Sequence, residues 1–184
     1  MIQTADQTLP HTLEEFINWE SNDAHKYEWN DGELIRFTGM KRHQFYIYTT
    51  LNRFFIRKGY WEKGTFVAEQ DVQLSDTQMW RPDIAYFTIE EEKRMKGGED
   101  VIPKFVIEVI SETDQSYKVE EKLIEYFKAG VQVVWYIMPE SKAVYVYTSR
   151  REVKICIEDD ICSAKPVLPD FEIGVDTIFE ENYI

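Results

Sequence analysis

An α/β domain built on a mixed central sheet is the fold this sequence predicts, and three observations predict it. Two segments with helical spacing, 41–58 and 116–129, are each closed by a glycine, Gly59 and Gly130. Around them lie short runs rich in β-branched and aromatic residues. Phe105-Val106-Ile107-Glu108-Val109-Ile110 reads as a strand buried on both faces. The order of elements (helix, strands, helix, strands) has no internal repeat, low-complexity stretch or linker, which suits one domain over residues 1–184.

In chain order, residues 1–10 read as a loose N-terminal arm. Thr12 and Glu15 then form a capping box that opens a short helix to about Glu20. Residues 27–35 read as a hairpin with Asp31-Gly32 at the turn. In the segment from Lys41 to Lys58, Ile47, Leu51, Phe54 and Phe55 share one helical face. Strands are expected from Thr65 to Leu74, Pro82 to Thr88 and Lys104 to Ser111, with a charged surface helix or loop from Glu90 to Asp100. From Ser116 to Ala129 the apolar stripe is Val119, Leu123, Tyr126 and Phe127. Val131–Met138 is strand-like, and 143–148 with 152–157 makes a second hairpin.

The formal charge of −13 argues against indiscriminate nucleic-acid binding, because Lys and Arg supply most non-specific affinity for phosphate. Its distribution softens that objection. Residues 36–63 carry seven bases against the single Glu62, whereas 158–184 carry eight acids against the single Lys165. Both stretches are also readable as solvated faces, so the pattern permits a nucleic-acid partner without requiring one. No apolar run approaches the roughly 20 residues that span a bilayer. The two cysteines suggest no disulfide framework, and the N-terminus has no secretory pattern, so a cytoplasmic protein is the default.

The residue that stands out is Glu108, a carboxylate inside an apolar strand. It is costly there unless it meets a cation or hydrogen-bond donors. Candidate company is Arg81-Pro82-Asp83 upstream and Lys122 downstream. Alternation puts Val106, Glu108 and Ile110 on one face and Phe105, Ile107 and Val109 on the other. Two acids converging at a strand end would suit Mg²⁺ or Mn²⁺, which keep several waters and share coordination with substrate phosphate. Taken alone, Asp83 is better read as a capping or turn residue. Lys122 by spacing alone is better read as a surface lysine paired with Glu125. His43, beginning the long helix, is more often a satisfied side chain than a ligand. No phosphate loop, Cys-x-x-Cys pair, His-Glu-x-x-His or nucleophile elbow is present, and zinc is disfavoured.

Taken in order, several segments resemble the Uma-two family of restriction-endonuclease-like proteins, in the PD-(D/E)xK nuclease superfamily. They are the Tyr27-Glu28 to Asp31-Gly32-Glu33 hairpin, His43-Gln44, Arg81-Pro82-Asp83, Val106 to Ser111, Lys122 with Tyr126, Gly130-Val131, Val134-Trp135 and Pro139. The resemblance implies a restriction-endonuclease-like mixed central sheet flanked by helices, and a Mg²⁺-dependent endonuclease that hydrolyses DNA. Asp83 and Glu108 would be its metal-binding acids. The usual lysine two residues after the second acid is absent, since Ile110 stands there, and the family's helix lysine picks out Lys122 instead. His43 matches a recurrent position near the site. The sequence departs from the family at Lys118, where an aspartate is common. A catalytically inactive module of the same fold, kept for binding or oligomerisation, is the competing reading. Self-association as a two-fold dimer is also expected, through Tyr145 and Tyr147 on a late strand.

Overall fold

The computed structural model describes residues 9–180 except Ala24, Thr38, Met40, Thr113 and the side chain of His43; most of the expected N-terminal arm lies outside this range. Thr12 caps helix α1 (Leu13–Ile17), its hydroxyl accepting from the Glu15 N–H at 3.1 Å. The helix stops before Glu20, and Leu13 and Phe16 are buried with Trp29. Strands β1 (Lys26–Asn30) and β2 (Glu33–Phe37) form the expected hairpin. Its turn needs positive φ at both Asp31 (46°) and Gly32 (93°), which Asp tolerates and Gly adopts freely.

Helix α2 (Arg42–Arg57) follows and packs Ile47, Leu51 and Phe55 inward. The expected strand from Thr65 to Leu74 is in fact two. Strand β3 (Gly64–Ala68) and strand β4 (Val72–Ser75) belong to different sheets, and Glu69 between them has φ 51°. The polar run Glu69-Gln70-Asp71 is the local signal for that break. Strand β5 (Gln78–Trp80) is an addition to the expected set. Strand β6 (Ile84–Thr88), helix α3 (Ile89–Lys96), strand β7 (Phe105–Val109), helix α4 (Ser116–Ala129) and strand β8 (Val133–Met138) then occur in the order expected. Gly130 ends α4 at φ 103°.

The central sheet has the order β10-β9-β8-β7-β6-β3, with β9 (Ala143–Ser149) and β10 (Glu152–Ile157) as its second hairpin. Only β7 and β8 are parallel, and α4 makes the crossover that such a pair requires. A second sheet, β2-β1-β5-β4, lies beside α4, to which Asn30 bonds through Glu121 at 3.2 Å. Alternation along β7 sorts as expected. Phe105, Ile107 and Val109 face α2, while Val106 faces Leu123 and Tyr126 of α4.

Residues 158–180 are more than an acidic tail. They form β11 (Ile161–Ala164), β12 (Leu168–Gly174) and α5 (Val175–Phe179), which cover the α2 face of the sheet. Phe171 is fully buried there, its ring 5.5 Å from Phe66 and 5.9 Å from Trp135. The late-strand expectation also shifts. Strand β9, with Tyr145 and Tyr147, is internal, and β10 is the edge. Among the described residues no helix is long and apolar enough to cross a membrane. Cys156 and Cys162 are free and buried.

Phe171→Ala is expected to cost about 3–5 kcal/mol in urea unfolding, because the cavity left among six aromatic neighbours cannot collapse fully. A loss below about 1 kcal/mol would mean the C-terminal segment only lies on the surface.

Candidate active site

The site begins where a ladder opens. Antiparallel pairing of β6 with β7 runs through Ile84↔Ile107, and the same register carried one residue further sets Asp83 opposite Glu108. The strands have parted by then, and the Asp83 carboxylate fills the gap by accepting the Val109 N–H at 2.7 Å. Pro82, which has no N–H to leave unpaired, precedes it. Gln44, in the first turn of α2, donates from Nε2 to the same carboxylate at 3.2 Å and to the Val109 carbonyl at 3.4 Å. Both acids line one open pocket of about 430 Å³ together with Glu28, Gln44, Lys122 and Tyr136.

Lys122 supplies the buried cation that Glu108 requires. Its Nζ lies 3.0 Å from Glu108 Oε1 and 2.9 Å from Glu28 Oε1, and 5.3 Å from the centre of the Trp80 ring. One helical turn on, at i+4, the Tyr126 hydroxyl donates to Glu108 Oε1 as well. Glu108 itself lines the pocket. Glu28 is held in turn by the Arg81 backbone N–H at 2.7 Å. Tyr136, beside Glu108 on β8, donates to the Val119 carbonyl at 2.7 Å and so fixes α4 on the sheet.

These contacts set the electrostatics. Burial, then the charge of Glu108, pushes the Asp83 carboxyl up to about 7, against the opposing Val109 N–H and Lys122. Burial also raises Glu108, with Lys122 the chief opposing influence. Burial would lower Lys122, but Glu108 and Glu28 outweigh it and hold the ammonium above its usual range, so it stays charged. Burial and the charge of Glu108 keep the Tyr126 hydroxyl protonated as a donor. The buried cluster around Lys122 thus sets three carboxylates, Glu28, Asp83 and Glu108, against one ammonium, a local imbalance that a divalent ion would offset. Among the described residues no group of three or more His, Cys, Asp or Glu is arranged around an ion position. Two hard carboxylates nevertheless fit Mg²⁺, which takes one or two protein acids and keeps its waters.

Residues 13–176 match the model of the Uma2 family, described as "Putative restriction endonuclease". The chain belongs to the Uma2 family. A solved structure with the same fold is the "putative nuclease belonging to DUF820 from Anabaena variabilis ATCC 29413", with a TM-score of 0.73 at 22% identity, covering 92% of this chain and 98% of that one. A comparison with curated proteins returns no match.

In this Uma2 chain three of the four residues singled out in sequence, Asp83, Glu108 and Lys122, meet in one pocket. Lys122 is not a surface partner of Glu125, which pairs with Lys128 at 3.6 Å. His43 lies in α2, but its side chain is outside the described ones. Arg81 does not answer Glu108: its guanidinium is taken by Asp71 at 2.6 and 2.7 Å. Lys118, at the family's departure, lines the pocket and reaches Glu33 at 3.4 Å. Sequence reasoning missed Glu28 and Gln44. Glu28 carried a readable signal, since it is a carboxylate between Tyr27 and Trp29 in a strand.

Lys122→Met is expected to destabilise the Uma2 fold by about 3–5 kcal/mol near neutral pH, because two buried carboxylates lose their shared cation. Urea titrations should show this loss shrinking on acidification, as buried acids take up protons.

Asp83 predicts a separate pH dependence. Its folded value of about 7 lies above the ordinary 3.8, so its stabilising contribution is complete below about 4 and lost as pH rises through 7. In EDTA, Asp83→Asn should therefore gain on wild type by about 1–3 kcal/mol across that window. A difference that stays constant between pH 4 and 8 would contradict the shift.

Proposed function

We propose that this Uma2 protein is a divalent-metal-dependent endonuclease, using Mg²⁺ or Mn²⁺ to hydrolyse DNA phosphodiester bonds in the manner of the PD-(D/E)xK superfamily. The observation that carries this reading is the meeting of Asp83, Glu108 and the Lys122 ammonium in one pocket. The printed descriptions of the family and of the Anabaena protein support it. Asp83 and Glu108 would hold the ion. The chemistry an ion supplies in such a pocket is polarisation of a phosphoryl oxygen and a lowered pKa for attacking water.

The protein's own groups do the rest. Gln44 and the Val109 N–H fix the Asp83 carboxylate, and Tyr126 fixes Glu108, so neither acid must reorganise when substrate arrives. Lys122, charged and partly open at 17% side-chain exposure, stabilises negative charge that develops on the phosphoryl oxygens. Lys41, Arg36 and Lys118 line the same pocket and supply positive charge for a phosphate backbone, although the chain as a whole is acidic.

Incubation of supercoiled plasmid with the protein and Mg²⁺ or Mn²⁺ should yield nicked and linear DNA, and EDTA should stop it. Glu108→Gln and Asp83→Asn should abolish cleavage while the variants stay folded. Loss of the Lys122 charge should cost about 10²–10³-fold in rate, typical for removal of one electrostatic donor to a transition state. Wild type inert in both metals on single- and double-stranded DNA would favour the inactive module, in which the carboxylates serve only the ion pairs.

A further inference from the structure

Strand β10 closes the central sheet at one side, and among the described residues no strand pairs with its outer edge. Alternate residues along it are apolar and exposed: Val153 at 47%, Ile155 at 52% and Ile157 at 45%. They share a face with Tyr145 and Tyr147, their neighbours on β9, beyond the reach of α4. On the opposite face Cys156 is buried, and the exposed Lys154 turns its ammonium to the Ile161 carbonyl at 3.0 Å. An open edge with an apolar face is usually blunted by outward charge or a bulge. Here the lysine is turned away, and the one bulge sits at the end of the strand, between Glu152 and Val153.

The charges at the two ends of β10 are complementary. Arg150-Arg151 precede the strand, and Glu158-Asp159-Asp160 follow it. We propose that β10 pairs with β10 of a second copy of this chain, antiparallel about a two-fold axis at Ile155, joining two six-stranded sheets into one. Only registers with an even sum keep like faces together, because a one-residue slip turns every side chain over. Among these, centring on Lys154 opposes two lysines, and centring on Cys156 carries Val153 past the end of the strand, into the turn at Glu158-Asp159. Centring on Ile155 opposes Ile155 to itself and Val153 to Ile157. It also brings the basic turn of one copy, Arg150-Arg151, beside the acidic turn of the other, Glu158-Asp159-Asp160, at both ends of the strand. One pair, Glu152 with Glu158, is unfavourable in this register. The contact is isologous and closed, so it yields a dimer and not a fibre.

This interface is independent of the nuclease reading. Glu108, Tyr136, Tyr145 and Ile155 lie on one transverse row, three strand spacings or roughly 14 Å from pocket acid to edge. Sedimentation of wild type at micromolar concentration should give twice the 21.9 kDa chain mass. Ile155→Cys should crosslink under mild oxidation, because directly opposed residues have Cα atoms about 5.5 Å apart, within disulfide range. Wild type, with Cys156 and Cys162 buried, should not. Arg151→Asp and Asp159→Arg each put like charges beside one another at both ends and should raise the dissociation constant at least about tenfold. Mixing the two variants restores complementarity at both ends and should restore dimer. A wild-type monomer, a dimer that Ile155→Cys fails to crosslink, or an Arg151→Asp protein as dimeric as wild type would each overturn the proposal. None of these readouts needs catalysis.

Discussion

The ammonium of Lys122 is shared by two carboxylates drawn from different sheets, and the architecture around the pocket depends on that sharing. Glu28 comes from β1 of the four-stranded sheet, Glu108 from β7 of the central sheet, and the lysine from α4 between them. Each carboxylate alone would be an uncompensated buried charge, and the lysine alone would be another. Such triads contribute little net stability compared with a well-packed apolar core, yet breaking one is costly. Their value here is in position: the shared ammonium ties both sheets to α4 at one point.

The same arrangement explains why the acids face a pocket. Strands β6 and β7 separate after Ile84 and Ile107, and the backbone donor exposed by that separation is taken by Asp83. An acid at this point satisfies the Val109 N–H and also presents carboxylate oxygen beside Glu108. Tyr126 and Lys122 both contact Oε1 of Glu108, and the residue lines the pocket. The result is a fixed pair of acids, of which Asp83 is pushed up first by burial and then by the charge of Glu108.

Much of this was legible in the sequence because local chemistry and tertiary role agreed. Thr12, Asp31-Gly32, Gly59 and Gly130 mark real boundaries, and the odd carboxylate in an apolar strand marks the site. Legibility failed where a residue's role depends on distant partners. Lys122 looks like a surface lysine by helical spacing, because its two partners are 94 and 14 residues upstream. The family resemblance was needed to lift it. Glu28 counted toward the family resemblance but was given no site role, because a hairpin strand readily accepts a glutamate; its burial depends on the tertiary fold. The C-terminal segment failed differently: its acids and its prolines masked the apolar series Leu168, Phe171, Ile173 and Val175, all of which are buried.

In the proposed function, a divalent ion would sit between Asp83 and Glu108 while Lys122 keeps its place. Anomalous diffraction from crystals soaked in Mn²⁺ tests it most directly. The predicted result is one strong peak about 2.0–2.2 Å from an oxygen of each carboxylate, with the Lys122 ammonium still against Glu28 and Glu108. A pocket without a peak at saturating Mn²⁺, or a peak bound elsewhere with Asp83 uncoordinated, would contradict it.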